Sequence, residues 1–375
     1  MRKFYWFLSY YSLICLLFSV SFAFQSNAKY AIILDYNNNE VIYKKNSNDI
    51  TTPSSMTKVM TAYLIFDLLK EGKISLNDTF KTSVRAWRQE GSRMFLEPDK
   101  NITVENLLKG LLVVSGNDSA VALAEGSYGT IENFVNKMNQ KAKQLGLKDT
   151  HFVNPTGLFH KNHYMSVKDI AILTQNLIKE HKNYYDMFFN IGEFEFNGIN
   201  QKNRNWILSE YKGADGVKTG HTDVGGYALI GSAERNGQRF ITVVNGLKTD
   251  RERINETKQM LDYAFSLYSY VELYKKNEII DTLDIKGGDK NFINVYSDVD
   301  IRYSFKTKDK DNIFIEKIYK NNIEAPIKKD EVVGYIQFKN NDKVVKFNLL
   351  AKNEVKKVNF WEKMVINLKE IFNSF

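Results

Sequence analysis

Strand-like runs stand at both ends of a long helical stretch, and that arrangement limits the fold of this chain more than any other feature. Lys29 to Tyr43 alternates as two short strands, Ala31–Leu34 and Glu40–Tyr43, parted by the turn-forming Asn37-Asn38-Asn39. Strand character returns at Gly225–Ile230 and Arg239–Val244, with Glu234–Gln238 turning between them. From Ile102 to Leu177 helical patterns dominate: Val104–Val114 carries an apolar helical repeat, and Ser166-Val167-Lys168-Asp169 has the form of a capping box. Arg251 to Tyr268 closes the stretch as a further helix. One α+β domain follows, whose sheet is assembled from its N- and C-terminal parts with helices between them.

The ends of the chain carry different signals. Met1-Arg2-Lys3, the charge-free apolar run Phe4–Phe22 and the small residues of Ser21-Phe22-Ala23 read as a secretory signal peptide over residues 1–23. Ser26-Asn27-Ala28 is a second cleavage point, and an uncleaved anchor is the alternative. The single cysteine, Cys15, lies in that leader behind Ile14, where a lipoprotein signal would want a small residue. The exported chain can therefore form neither a disulfide nor a thiolate metal site. A net charge of +8 falls to +6 once Arg2 and Lys3 leave, and lysines and acids are interspersed, so no nucleic-acid partner is expected.

The α+β domain is assigned residues 24–272. Beyond Tyr274, short alternating strands such as Phe292–Tyr296, Val332–Ile336 and Val344–Phe347 indicate a second, small all-β domain over 273–357. The last stretch, 358–375, puts Phe360, Trp361, Met364, Val365, Leu368, Ile371, Phe372 and Phe375 on one broad face. It is too charged to span a bilayer. An amphipathic helix lying on a membrane surface, helped by Lys352, Lys356, Lys357 and Lys363, is the expectation, against a helix packed on its own domain.

Pro53 precedes Ser55-Met56-Thr57-Lys58, which opens a run whose Val59, Met60, Ala62, Tyr63, Ile65, Phe66 and Leu69 are apolar enough for a buried helix. A serine three residues before a lysine puts hydroxyl and amine on one helical face, as a nucleophile and its base require. Ser26…Lys29 and Ser209…Lys212 share the spacing, so spacing alone decides nothing. Two later motifs do: Ser115-Gly116-Asn117 and Lys218-Thr219-Gly220, the latter present once. Together the three resemble the penicillin-recognising serine acyltransferases, which include penicillin-binding proteins and serine β-lactamases. Pro53–Thr61, Gly91–Leu96, Asn154-Pro155-Thr156-Gly157-Leu158 and Asp215–Thr222 narrow the resemblance to the low-molecular-mass D-alanyl-D-alanine carboxypeptidases, from about Lys29 to Tyr268. The β-rich region and the amphipathic end are similar in layout to the longer members.

That resemblance, joined to the chemistry, implies the roles. Ser55 is the nucleophile and Lys58 its base, which must be neutral to act. Holding a lysine of pKa near ~10.4 neutral around pH 7 costs roughly 4 kcal/mol, which burial and a neighbouring cation such as Lys218 must impose. Ser115 would relay a proton to the leaving amine, and Asn117 would hold the peptide amide and orient Lys58. Lys218, Thr219 and Gly220, with Arg253, would bind the substrate and its terminal carboxylate. For Arg253 an ordinary surface arginine is the alternative. The oxyanion hole would be the backbone amides of Ser55 and His221.

The implied reaction removes the terminal D-alanine from peptidoglycan stem peptides through an acyl-enzyme, outside the cytoplasm, with β-lactams as covalent inhibitors. No cofactor is implied. His160-Lys161-Asn162-His163 lacks the glutamate of a helical zinc-peptidase motif, so no metal site is expected. The rivals are a murein endopeptidase, a serine β-lactamase and a non-catalytic wall-binding protein. Class A β-lactamases need a glutamate after the Ser-x-Asn motif, and Asp149–Pro155 lacks their Glu-x-x-Leu-Asn pattern, so slow release of penicillin is expected. Intact Ser55, Lys58, Ser115 and Lys218 argue against the non-catalytic reading.

Overall fold

A computed structural model describes residues 24–340, 343–359, 361–362 and 364–365. The expected signal peptide and most of the amphipathic end lie outside the described residues. The first and larger region is built on a five-stranded antiparallel sheet. Its strands are β1 (Tyr30–Asp35), β2 (Val41–Lys45), β3 (Ala214–Thr222), β4 (Gly226–Arg235) and β5 (Gln238–Leu247), in spatial order β3-β4-β5-β1-β2. The first two strands thus add to the last three, with Ile33 opposite Thr242 and Lys218 opposite Ile230.

Alternation along the strands decides what covers each face. Ile32, Leu34, Ile230, Ile241 and Val243 point into the larger core, under the helices α1 (Lys58–Lys70), α2 (Val104–Leu112), α3 (Asn117–Tyr128), α4 (Ile131–Gln144) and α5 (Val167–Glu180). Ala31, Ile33, Leu229, Phe240 and Val244 point the other way, against Ile254, Met260, Leu261 and Ala264 of α6 (Asp250–Leu267). Both faces are buried, so the central strands read as nearly continuous apolar runs.

Helix α1 runs through the larger core, and every residue except Asp67 and Lys70 is buried. The sequence places Ser55 in the first turn of this helix. In the structure Ser54–Thr57 form a separate 3-10 turn and the α-helix begins at Lys58. The capping pattern at Ser166 is half formed: Ser166 Oγ accepts the Asp169 amide at 3.1 Å. Asp169 does not reciprocate, because its carboxylate takes the Asp149 amide at 2.7 Å and the Thr150 hydroxyl at 2.8 Å. It ties the helix to the preceding loop instead.

After α6 the chain forms a β-rich unit with its own core, including Ile293, Val295, Ile336, Phe338 and Leu349. Strands β6 (Tyr268–Tyr274) and β9 (Ile301–Lys306) pair, while β7 (Ile279–Asp284), β8 (Phe292–Tyr296), β10 (Ile313–Tyr319), β11 (Val332–Asn340) and β12 (Lys343–Ala351) form a sheet in the order β7-β8-β12-β11-β10. The two units are joined by Asn38 Nδ2 to Ser304 O at 2.6 Å, Gln238 Nε2 to Ser304 Oγ at 2.7 Å and a Lys343–Glu40 ion pair at 3.0 Å. At the far end Asn359 and Glu362 exchange side-chain to amide bonds, each 2.9 Å, which is a capping box. Residues 361–362 and 364–365 are helical, with Trp361, Met364 and Val365 exposed.

Candidate active site

Three segments distant in sequence meet at the edge of the sheet beside β3. They are the 3-10 turn carrying Ser55, the α2–α3 turn carrying Ser115 and Asn117, and β3 with Lys218 to His221. Ser55, Ser115, Asn117, Thr219, Gly220, His221 and Arg253 line one pocket of about 510 Å³. Lys58 and Lys218 are buried beneath it. Close approach explains two of the glycines. A Cβ on Gly220 would come within 3.2 Å of Met56, Ser54 and the Pro53 carbonyl, and one on Gly157, whose φ is 82°, would collide with the Ser54 carbonyl.

Lys58 Nζ lies 3.0 Å from Ser55 Oγ, 2.7 Å from Asn117 Oδ1 and 2.7 Å from Thr156 O. The Asn117 amide is pinned in this orientation because its Nδ2 donates to Glu90 O at 2.6 Å. Burial, and secondarily the charge of Arg204, hold the Lys58 amine down to about 7 against the pull of Asp118. A neutral amine has two N–H donors and one lone pair. Asn117 Oδ1 and Thr156 O can only accept, so both donors go to them and the lone pair faces the Ser55 hydroxyl. That is the geometry of a general base.

Lys218 is driven well below its ordinary range by burial and then by Lys58, Arg204 and Arg253. Lys58 thus acts on Lys218, whereas the expected action of Lys218 on Lys58 is not what lowers the base: there burial dominates and Arg204 is the cation that matters. Ser115 takes the left-handed φ of 62°, unusual for a residue with a side chain. Its buried hydroxyl has no partner among the described residues. Asn117 does orient Lys58, but one of its amide protons is already used by Glu90. His221 is partly a wall: its ring lies 4.0 Å, centroid to centroid, from that of Tyr227.

Arg253 is no surface arginine. It is buried, pairs with Asp250 and donates to Gly220 O at 3.0 Å. Sequence reasoning missed Arg204, Trp206 and Asp250, which also line the pocket. Only Asp250 and Arg253 share a helix turn that could have suggested a pair. It also missed the support beneath the nucleophile. His163 Nδ1 accepts the Val153 amide at 3.3 Å, so its Nε2 carries the proton and donates to Thr57 Oγ1 at 2.9 Å. Burial and neighbouring positive groups hold this imidazole down to about 4, hence neutral. His160 Nδ1 accepts the Asn162 amide. Among the described residues one group, Asp67, Glu180 and His181, clusters as metal ligands do. Asp67 is already matched there by Lys141 at 2.7 Å and His181 at 2.9 Å.

Residues 18–249 match the family model described as D-alanyl-D-alanine carboxypeptidase. The chain belongs to that family. This carboxypeptidase also matches, over residues 268–357, the model for the C-terminal domain of penicillin-binding protein 5. It is 39% identical to the D-alanyl-D-alanine carboxypeptidase DacF of Bacillus subtilis over 342 residues, 89% of this chain and 87% of that one. With DacA of Escherichia coli K12 it shares 33% identity, covering 93% of this chain and 89% of that protein. Penicillin binding protein 5 of Haemophilus influenzae superposes with a TM-score of 0.74 at 32% identity, over 89% of this chain and 99% of that one. Penicillin-binding protein D2 of Listeria monocytogenes, solved with ampicillin bound, aligns at 28% identity and a TM-score of 0.60, covering 65% of this chain and 99% of that one. The chain is a serine D-alanyl-D-alanine carboxypeptidase with an α+β catalytic region and a C-terminal β domain.

Proposed function

We propose that Ser55 carries the reaction, with Lys58 as its base. The observation that supports this most is the saturation of Lys58 by two obligate acceptors, which leaves its lone pair for the Ser55 proton. Ser55 Oγ attacks the carbonyl of the penultimate D-alanine and its proton passes to Lys58. The oxyanion is held by the backbone amides of Ser55 and His221. The C–N bond then breaks, and the leaving D-alanine amine takes a proton relayed through Ser115, whose hydroxyl has no competing partner among the described residues. Water, deprotonated by the same lysine, attacks the ester and frees Ser55. Lys218, Thr219 and Arg253 hold the substrate's carboxylate, and Gly220 lets the peptide lie against β3.

A β-lactam enters the same pocket and acylates the same serine. Among the described lining residues the one carboxylate is Asp250, and Arg253 occupies it. No glutamate lines the pocket among the described residues to activate water, so the penicilloyl ester persists. The catalytic domain, 24–272, follows an export signal and is followed by the β domain, 273–357, and by a helix from 358 that rests on the outer face of the cytoplasmic membrane. The capping box at Asn359 and exposed Trp361, Met364 and Val365 support that last reading.

The test uses protein lacking residues 1–23, a peptide ending in D-alanyl-D-alanine and a labelled penicillin. Wild type releases D-alanine and is labelled; Ser55→Ala does neither. Labelling of Ser55→Ala would assign another nucleophile. Removal of residues 359–375 should release the mature protein from membranes, and retention would refute the anchor.

A further inference from the structure

The end of the catalytic pocket that must receive a carboxylate contains a carboxylate of its own. Asp250, the first residue of α6, lines the pocket together with Ser55, Thr219 and Arg253. It forms an ion pair with one terminal nitrogen of Arg253. The other terminal nitrogen donates to Gly220 O at 3.0 Å and to Ala228 O at 3.4 Å. Both ends of the guanidinium are therefore engaged within the protein, and its buried Nε–H has no acceptor among the described residues. Arg204, which lines the same pocket, makes no ion pair among the described residues.

An acid at an anion subsite opposes the ligand twice. It repels the incoming carboxylate, and it competes for the cation that would bind it. Without Asp250, Arg253 would join Arg204 as a second unmasked guanidinium on the pocket wall, a pair that attracts any small anion. With it, a ligand must share Arg253 and satisfy the rest of the pocket as well, so peptide contacts along β3 keep their weight in selection.

We propose that Asp250 is a specificity-determining residue of this carboxypeptidase, one that masks Arg253 and sets how strongly the site favours a free C-terminal carboxylate. The inference rests on the reading that Arg253 helps to bind that carboxylate. Removing the negative charge frees the guanidinium and strengthens binding of the acid.

The experiment compares a peptide ending in D-alanyl-D-alanine with the same peptide ending in D-alaninamide, in wild type, Asp250→Asn and Asp250→Glu. Acetate serves as a competing anion. Asp250→Asn should raise kcat/KM for the free acid by about tenfold, mainly through KM, leave the amide within about twofold, and tighten inhibition by acetate. Asp250→Glu should restore the wild-type preference. Asparagine is a good residue at a helix start, and Asp250→Ser provides a second neutral variant. Equal changes for acid and amide, or a fall for the acid alone, overturn the proposal and leave Asp250 as a strut that positions Arg253. If wild type itself does not prefer the acid, the carboxylate reading fails instead.

Discussion

Lys58 links the chemistry to the stability of the fold, and replacing it by methionine separates the two. In the native protein burial and Arg204 hold its pKa at about 7, against 10.5 for a free lysine. The unfolded chain therefore binds a proton between these values that the native state does not, and stability rises with pH across that window. Linkage puts the cost of this one group at about 4 kcal/mol at pH 7 and about 1 kcal/mol at pH 9.5. Below pH 7 both states are protonated and the cost stays near its maximum. Lys58→Met removes the whole term. It also leaves Asn117 Oδ1 and Thr156 O without their donor, a penalty of about 1 to 3 kcal/mol each that does not vary with pH.

The absolute stability change thus mixes two effects, while its pH dependence reports one. Urea unfolding of wild type and Lys58→Met at pH 7 and 9.5 should show wild type gaining about 3 kcal/mol on the variant as pH rises. The variant hardly alters the field at Lys218, because Lys58 is already largely uncharged through most of that range. Acylation by labelled penicillin supplies the kinetic counterpart. In wild type its rate should climb with pH through a midpoint at about 7, as the base loses its proton, and then level. A pH-dependent gain below about 1 kcal/mol, or a rate still climbing at pH 9, would mean that Lys58 is charged at neutral pH and that another group takes the Ser55 proton.

Gly157→Ala forces a Cβ into the Ser54 carbonyl at a φ of 82° and should cost at least about 2 kcal/mol in urea unfolding, with loss of penicillin labelling; a neutral result would show that the nucleophile turn can move. His163→Ala removes the donor to Thr57 and should slow acylation about tenfold, while His163→Gln, which keeps an acceptor and a donor, recovers part of the rate. Equal rates for the two variants would deny the hydrogen bond its part. Arg239→Met leaves Asp215 and Glu234, 2.6 and 2.5 Å from the guanidinium, without their cation. About 3 kcal/mol should be lost at neutral pH; an unchanged urea midpoint would exclude the network from the stability of β5.

Residues that act by chemical type were legible in the sequence, and residues that act by placement were not. Ser55, Lys58, Ser115, Asn117 and Lys218 belong to short motifs, so their meeting at one pocket could be expected before any coordinates. The α+β order was legible for a similar reason: the short apolar runs of β1, β4 and β5, bounded by turn residues, and the helical repeat of α2 are local signals. Arg204 carries no such signal. It acts on Lys58 from a segment far away in sequence and on Lys218 from the loop before β3, and no spacing rule connects them. His163 was weighed only as a metal ligand, because nothing local shows that its ring spans the Val153 amide and the Thr57 hydroxyl. The boundary between the 3-10 turn and α1 was hidden too, since no local pattern parts Ser54–Thr57 from the helix that follows.

The placement of the base in α1 then has a physical rationale. A lysine neutral near pH 7 needs a site without water, and such a site exists only where the surrounding helix is buried on all sides. Val59, Met60, Tyr63, Ile65 and Phe66 are completely buried directly after Lys58, so the same packing that stabilises the domain desolvates the amine. Stability and reactivity are consequently coupled through this helix. Phe66→Ala would cost about 3 to 5 kcal/mol through its cavity, comparable with the cost of burying Lys58. If that cavity also admits water toward Lys58, the amine moves back toward 10.5 and the rise in acylation shifts to higher pH. Measuring the acylation profile of Phe66→Ala decides the matter: a midpoint that stays at about 7 would show that Asn117, Thr156 and Arg204 hold the lysine neutral without the packing behind them.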